Sequence, residues 1–171
     1  MDDTKNTIMK MSKDWQDIAA GEVVDKLIAK NWTISFAESC TGGLAAARLV
    51  SVPDASKVFG ASVVTYANDA KIKHVGVNID TIMEYGVVSE EVAIEMARGV
   101  ANVNEARVGV GISGIAGPTG ATKTKPIGMV CFGFVIGDKA FARTCYFGEI
   151  GRDAVRLASV NYVFDVLNEE L

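Results

Sequence analysis

A serine, a lysine and a tyrosine carry the first hints of chemistry in this chain. Ser39 stands in Ala37-Glu38-Ser39-Cys40-Thr41-Gly42-Gly43. The run before it, Thr33-Ile34-Ser35-Phe36, alternates polar and apolar residues with the period of a strand. The run after it, Leu44-Ala45-Ala46-Ala47-Arg48-Leu49-Val50, is rich in helix formers. A strand that turns through two glycines into a helix presents backbone N–H groups that bind anions and stabilise developing negative charge. Ser39 is therefore a candidate nucleophile, and Thr41, Gly42 and Gly43 are candidate oxyanion donors. The same turn also reads as a simple helix cap, with Ser39 or Thr41 as the capping residue.

Lys71 closes Val64-Thr65-Tyr66-Ala67-Asn68-Asp69-Ala70-Lys71, where Asn68 reads as the N-cap of a short helix through His74. A cation in the first turn of a helix opposes the dipole, so its ammonium loses a proton more readily. A neutral lysine amine can accept the proton of a serine hydroxyl, as in serine–lysine hydrolases. The alternative is a solvated surface lysine. Tyr66 can relay a proton, stack on an aromatic ligand, or merely pack its ring. His74, one turn beyond Lys71, reads as a cap of the helix end. Arg152 is another cation at a helix start, where an anionic group such as a phosphate would remove the conflict; pairing with Glu149 or Asp153 is the alternative. Ser113 and Gly114 offer a hydroxyl and an amide to a sugar or phosphate, or form only a tight turn.

The elements that must position these groups alternate. Residues 1–11 read as a polar tail and residues 12–171 as a single domain. A helix is expected from Ser12 to Lys30, with Ile18, Val23, Val24, Leu27 and Ile28 as its apolar stripe. The strand Thr33–Ala37, the helix after Gly43, a strand over Ala61–Tyr66 and the Lys71 helix follow. Asp80–Tyr85 reads as a helical turn stopped by Gly86, and Ser89-Glu90-Glu91 as a capped helix start. Arg107–Ile112 is a buried-type strand running into the glycine-rich loop Ser113–Gly120. Ile127–Ile136 and Lys139–Phe147 form a hairpin about Gly137-Asp138, a register that sets Cys131 opposite Thr144. A helix from Gly151 to Leu167 closes the chain, with Val155, Ala158, Tyr162 and Val166 inward. This order predicts a three-layer α/β/α fold with a mixed, mostly parallel sheet and a C-terminal hairpin. Ser39, Tyr66 with Lys71, and Ser113 then all follow strand ends, where ligands of open α/β sheets bind.

Composition narrows the functions. With 17 basic and 21 acidic residues the formal net charge is −4, which argues against broad electrostatic binding of nucleic acid or an anionic membrane. The apolar run Pro126–Gly137 is too short to span a bilayer. Acids near Met1 stand where a signal peptide has bases, and Cys40, Cys131 and Cys145 lack paired spacing, so a cytoplasmic protein with reduced thiols is expected. One histidine and no Cys-x-x-Cys leave almost no material for a structural zinc site.

Taken together, five motifs resemble those of the CinA C-terminal domain family, which includes the stand-alone nicotinamide mononucleotide deamidases called PncC. They are Ala37–Gly43, Val64–Lys71, Gly86-Val87-Val88-Ser89-Glu90-Glu91, Ile112-Ser113-Gly114-Ile115-Ala116-Gly117-Pro118 and Lys125-Pro126-Ile127-Gly128. The resemblance runs over nearly the whole chain from about Ser12. It implies hydrolysis of nicotinamide mononucleotide to nicotinate mononucleotide and ammonia, with no metal or cofactor, and commonly a homodimer. It also implies a domain standing without the larger N-terminal domain of full-length CinA proteins. The family's nucleophile falls on Ser39, its lysine on Lys71, and its functional tyrosine, loop hydroxyl and late arginine on Tyr66, Ser113 and Arg152. The chain departs from the family pattern at Ile150-Gly151, where Gly-Asp usually precedes the arginine. Ala67 and Asp69 replace the usual Ser and Glu, and Thr119–Thr124 is poorer in glycine. A non-catalytic nucleotide- or partner-binding member is the alternative reading.

Overall fold

The computed structural model describes residues 18–171. The expected polar tail and the expected start of the first helix at Ser12 lie outside the described residues. That helix, α1, is described over residues 18–30 and buries Ala20, Val23, Val24 and Leu27. Ile18 and Ile28, assigned to its stripe from sequence, are instead exposed, because the buried face repeats at 20, 23, 24 and 27.

The remaining elements are β1 (Ile34–Glu38), α2 (Leu44–Val50), β2 (Val63–Val64), α3 (Asn68–Val75), α4 (Ile79–Tyr85), α5 (Glu90–Val103), β3 (Val108–Gly114), β4 (Met129–Ile136), β5 (Lys139–Tyr146) and α6 (Arg152–Glu170). The sheet order is β2-β1-β3-β4-β5. Pairing is parallel from β2 through β1 to β3 and antiparallel from β3 through β4 to β5. On one face α1, α2 and α6 close over Phe36, Phe132, Phe134 and Phe164; on the other, α5 lies across β1, β3 and β4 with α3 and α4 outside it. This is the three-layer α/β/α arrangement. None of the described helices is long and apolar enough to cross a membrane.

Small residues set the depth of the α5 layer. A Cβ added to Gly111 or Gly133 would stand 2.2 or 2.1 Å from the Ala93 carbonyl oxygen, so glycine is required for the helix to rest directly on the sheet. Ser89 caps α5 as its spacing predicts, accepting from the Val92 amide at 3.3 Å. The hairpin register also matches, with Cys131 opposite Thr144 and all three cysteines free.

Three expectations need correction. The strand read over Ala61–Tyr66 shrinks to Val63–Val64. Serines supply the flanking contacts instead: Ser35 Oγ donates to Ala61 O and Ser62 Oγ to Phe36 O. Asn68 is the first helical residue of α3 rather than its cap, because Ala67 holds the extended cap conformation. On α6 Val155 and Val166 are buried as expected, but Ala158 and Tyr162 are only half-buried, and Ser159, Val163 and Phe164 fill the inner face between them. Ser159 faces the core without cost because its hydroxyl donates to Val155 O at 2.7 Å.

Candidate active site

Beyond the carboxyl ends of β1, β2 and β3 lies a cleft of about 610 Å³. Ser39, Tyr66, Lys71, Ser113, Gly114 and Arg152 all line it, so six sequence-predicted site residues converge. Thr41, Gly42 and Gly43 are not among its lining residues.

Ser39 follows β1 directly, and its amide closes the parallel ladder on Ile112 O at 2.9 Å. Lys71 projects from α3 beneath it and is 1% exposed. Its Nζ stands 3.1 Å from Ser39 Oγ, 2.8 Å from Thr65 O and 3.5 Å from Tyr66 O. Both carbonyls belong to the short irregular link between β2 and α3, from whose helix Lys71 reaches back to them. Burial holds the Lys71 ammonium below the usual lysine range, opposed only by the Cys40 sulfur. Cys40 offers little opposing charge, since burial pushes its thiol up to about 12. The neighbouring cysteine is thus a neutral thiol at ordinary pH and no rival nucleophile.

The helix start after Ser39 is organised differently from the expectation. Glu38, with no exposed surface, turns its carboxylate to the helix and accepts from the amides of Gly43 (3.0 Å), Ala45 (3.1 Å) and Ala46 (2.9 Å). Gly42 donates to Ser39 O at 3.1 Å. The Gly42 and Gly43 amides are therefore occupied within the fold and do not serve as oxyanion donors. Among the described residues no carbonyl accepts from the Cys40 amide, the one that follows Ser39. Gly114 is the second candidate. Because Ile115 N–H bonds Met129 O, the alternation of the antiparallel ladder directs the Gly114 amide to the β1 side, where the ladder ends at Ser39.

The far side of the cleft holds the cations. Arg152, the first residue of α6, donates from Nη1 to Gly117 O at 2.8 Å and from Nη2 to Tyr66 Oη at 2.9 Å. The Ile150-Gly151 departure therefore leaves Arg152 in the cleft. Tyr66 is 61% exposed; its hydroxyl meets Arg152, and its carbonyl rather than its ring faces Lys71. Ser113 is buried and gives its proton to Val87 O at 2.6 Å, leaving its oxygen free only to accept. His74 is exposed in the last turn of α3 and does not line the cleft.

Sequence reasoning missed three contributors. Glu38 was legible as an acid placed just before a helix start. Arg156 lies one turn after Arg152 and ties α6 to the serine turn, donating to Cys40 O and Thr41 O at 3.2 Å each. Lys125, in the stretch Lys125-Pro126-Ile127-Gly128, also lines the cleft, and a lone loop lysine carries no sequence signal for that place.

The fold and cleft define a three-layer α/β protein with an open cleft at the carboxyl ends of its parallel strands. The chain belongs to the CinA family: the family model for the CinA C-terminal domain matches residues 16–171. It is 42% identical over 151 residues to a CinA-like protein of Kosmotoga olearia, covering 88% of this chain and 36% of that protein. The chain spans little more than a third of the length of the curated relatives it matches. Among solved structures it is similar to the competence/damage inducible protein CihA from Agrobacterium tumefaciens, with 34% identity, a TM-score of 0.86 and coverage of 89% of this chain and 93% of that one. A CinA superfamily protein from Escherichia coli gives 31% identity, a TM-score of 0.88 and coverage of 91% and 90%.

Proposed function

We propose that this chain is an amidohydrolase that converts nicotinamide mononucleotide to nicotinate mononucleotide and ammonia. The observation that carries this reading is the buried Lys71 amine 3.1 Å from Ser39 Oγ on the wall of a cleft. Its burial favours the neutral form, and its contacts accommodate that form. A neutral amine has two N–H donors and one lone pair. The donors go to Thr65 O and Tyr66 O, which can only accept; the contact with Ser39 Oγ, to which an ammonium would donate its third N–H, then turns round, and the lone pair of the amine that burial favours takes the hydroxyl proton.

Ser39 Oγ attacks the carboxamide carbon as its proton passes to Lys71 Nζ. The oxygen of the tetrahedral intermediate is held by the amides of Cys40 and Gly114. Lys71 then protonates the leaving nitrogen, and ammonia departs from an ester on Ser39. A water molecule attacks that ester with Lys71 again as base, which releases the carboxylate and restores the serine. The accepting oxygen of Ser113 suits a donor such as a ribose hydroxyl or the carboxamide N–H. The exposed Tyr66 ring offers a face for the pyridine.

Arg152 is assigned to the phosphate. Its guanidinium retains donors beyond the two given to Gly117 and Tyr66. A phosphate distant from the amide is bound alike in ground and transition states, so Arg152→Ala should mainly raise KM. Arg152→Lys should restore only part of the loss, because an ammonium cannot present two parallel donors. Equal weakening of the mononucleotide and of nicotinamide riboside would remove Arg152 from the phosphate.

The reading as a whole is tested by incubating the purified protein with nicotinamide mononucleotide. Equal amounts of ammonia and nicotinate mononucleotide are expected. Calorimetric binding of the mononucleotide without ammonia release would make the chain a binding module instead.

A further inference from the structure

The donors expected from sequence to hold a phosphate are partly committed elsewhere. Ser113 has given its proton to Val87 O, and the Gly114 amide is directed to the Ser39 side. Besides Lys71, the cations lining the cleft are Arg152 and Lys125. Lys125 is half-buried, and its Nζ donates to Tyr85 O and, at 2.6 Å, to Val88 O. A Cβ on Gly86 would stand 2.8 Å from this nitrogen, so glycine there lets the ammonium approach the segment.

An ammonium carries three N–H donors, and two are fixed on the carbonyls of 85–88. The third is left over, and among the described residues no acid takes it. Glu84 lines the same cleft, and Glu90 and Glu91 line a smaller hollow beside it, yet none forms an ion pair with Lys125 among the described residues. Glu90 is engaged by the Thr144 hydroxyl. The segment 117–125 thus has a cation at each end: Arg152 on Gly117 O and Lys125 itself. Thr119, Gly120 and Thr122 line the cleft between them. Arg152 and Lys125 thus both line the one cleft and offer it two positive charges.

We propose that Lys125 is a specificity-determining residue of the cleft, donating its remaining N–H to a phosphate monoester that it shares with Arg152. The proposal rests on the mononucleotide reading and extends it to a second cation. A charge-assisted bond of this kind is short and strong and is lost with the charge.

The test compares nicotinamide mononucleotide with nicotinamide riboside in the wild-type protein, Lys125→Met and Lys125→Arg. In Lys125→Met the preference for the mononucleotide, taken as the ratio of the two kcat/KM values, should fall about tenfold or more. Both rates come from one preparation, so any loss of folded protein cancels in the ratio. Lys125→Arg should keep most of the preference. A ratio in Lys125→Met within about twofold of wild type would overturn the proposal. Should the wild-type protein release no ammonia from either substrate, the amidase reading fails by itself. Calorimetry with ribose 5-phosphate then decides the role of Lys125: weaker binding by Lys125→Met supports it, whereas equal binding, or none by the wild type, overturns it.

Discussion

Lys71→Met should lower kcat for ammonia release about a hundredfold or more, the range expected when a general base is lost. Methionine fills a similar volume and, being uncharged, needs no partners in a site where the amine has 1% exposure, so the fold should be retained. KM should change little, because the lysine acts on the serine rather than on the remote phosphate. The wild-type pH profile gives the companion result. On the proposed mechanism the neutral amine is the active form, so kcat should rise with pH as Lys71 loses its proton, with a midpoint below the ordinary lysine value of 10.5. Burial sets this direction, since it disfavours the charged form. The rising limb should vanish in Lys71→Met.

Glu38→Ala should cost about 3 kcal/mol or more of folding stability, because it strips the carboxylate from three helix-start amides and leaves a buried hole. Glu38→Gln should cost less, about 1–2 kcal/mol, since one carbonyl oxygen still accepts. Urea unfolding followed by circular dichroism measures both. The loss should reach the site as well, because the capped helix holds the turn that presents Ser39. A Glu38→Ala protein as stable as wild type would show that the cap is dispensable.

The site was legible in the sequence where side-chain type and strand ends coincide. Ser39, Tyr66 with Lys71, and Ser113 each follow a strand, and parallel pairing of β1 with β2 and β3 brings those ends together. What sequence could not supply was hydrogen-bond accounting. Gly42 and Gly43 look like free donors until Glu38, fully buried at the end of β1, takes the Gly43 amide and Ser39 O takes that of Gly42. Lys71 was singled out for its place against a helix dipole, yet burial dominates its environment. β2 was overestimated because Ala61–Tyr66 has strand composition throughout, whereas the strand itself covers only Val63 and Val64, with one further bond from the Thr65 amide to Glu38 O. The face of α6 was legible at Val155 and Val166 but not at Ser159, a polar residue that points inward with its hydroxyl satisfied by its own helix.

The central claim is that Ser39 attacks the amide, and one comparison tests it most directly. Ammonia release from nicotinamide mononucleotide is measured for wild type and Ser39→Ala at one pH, with mononucleotide binding measured on the same samples by calorimetry. The account predicts that Ser39→Ala still binds the mononucleotide within a few-fold of wild type while its kcat falls about a hundredfold or more. Turnover by Ser39→Ala within about tenfold of wild type would contradict it, because the hydroxyl 3.1 Å from Lys71 would then not be the nucleophile.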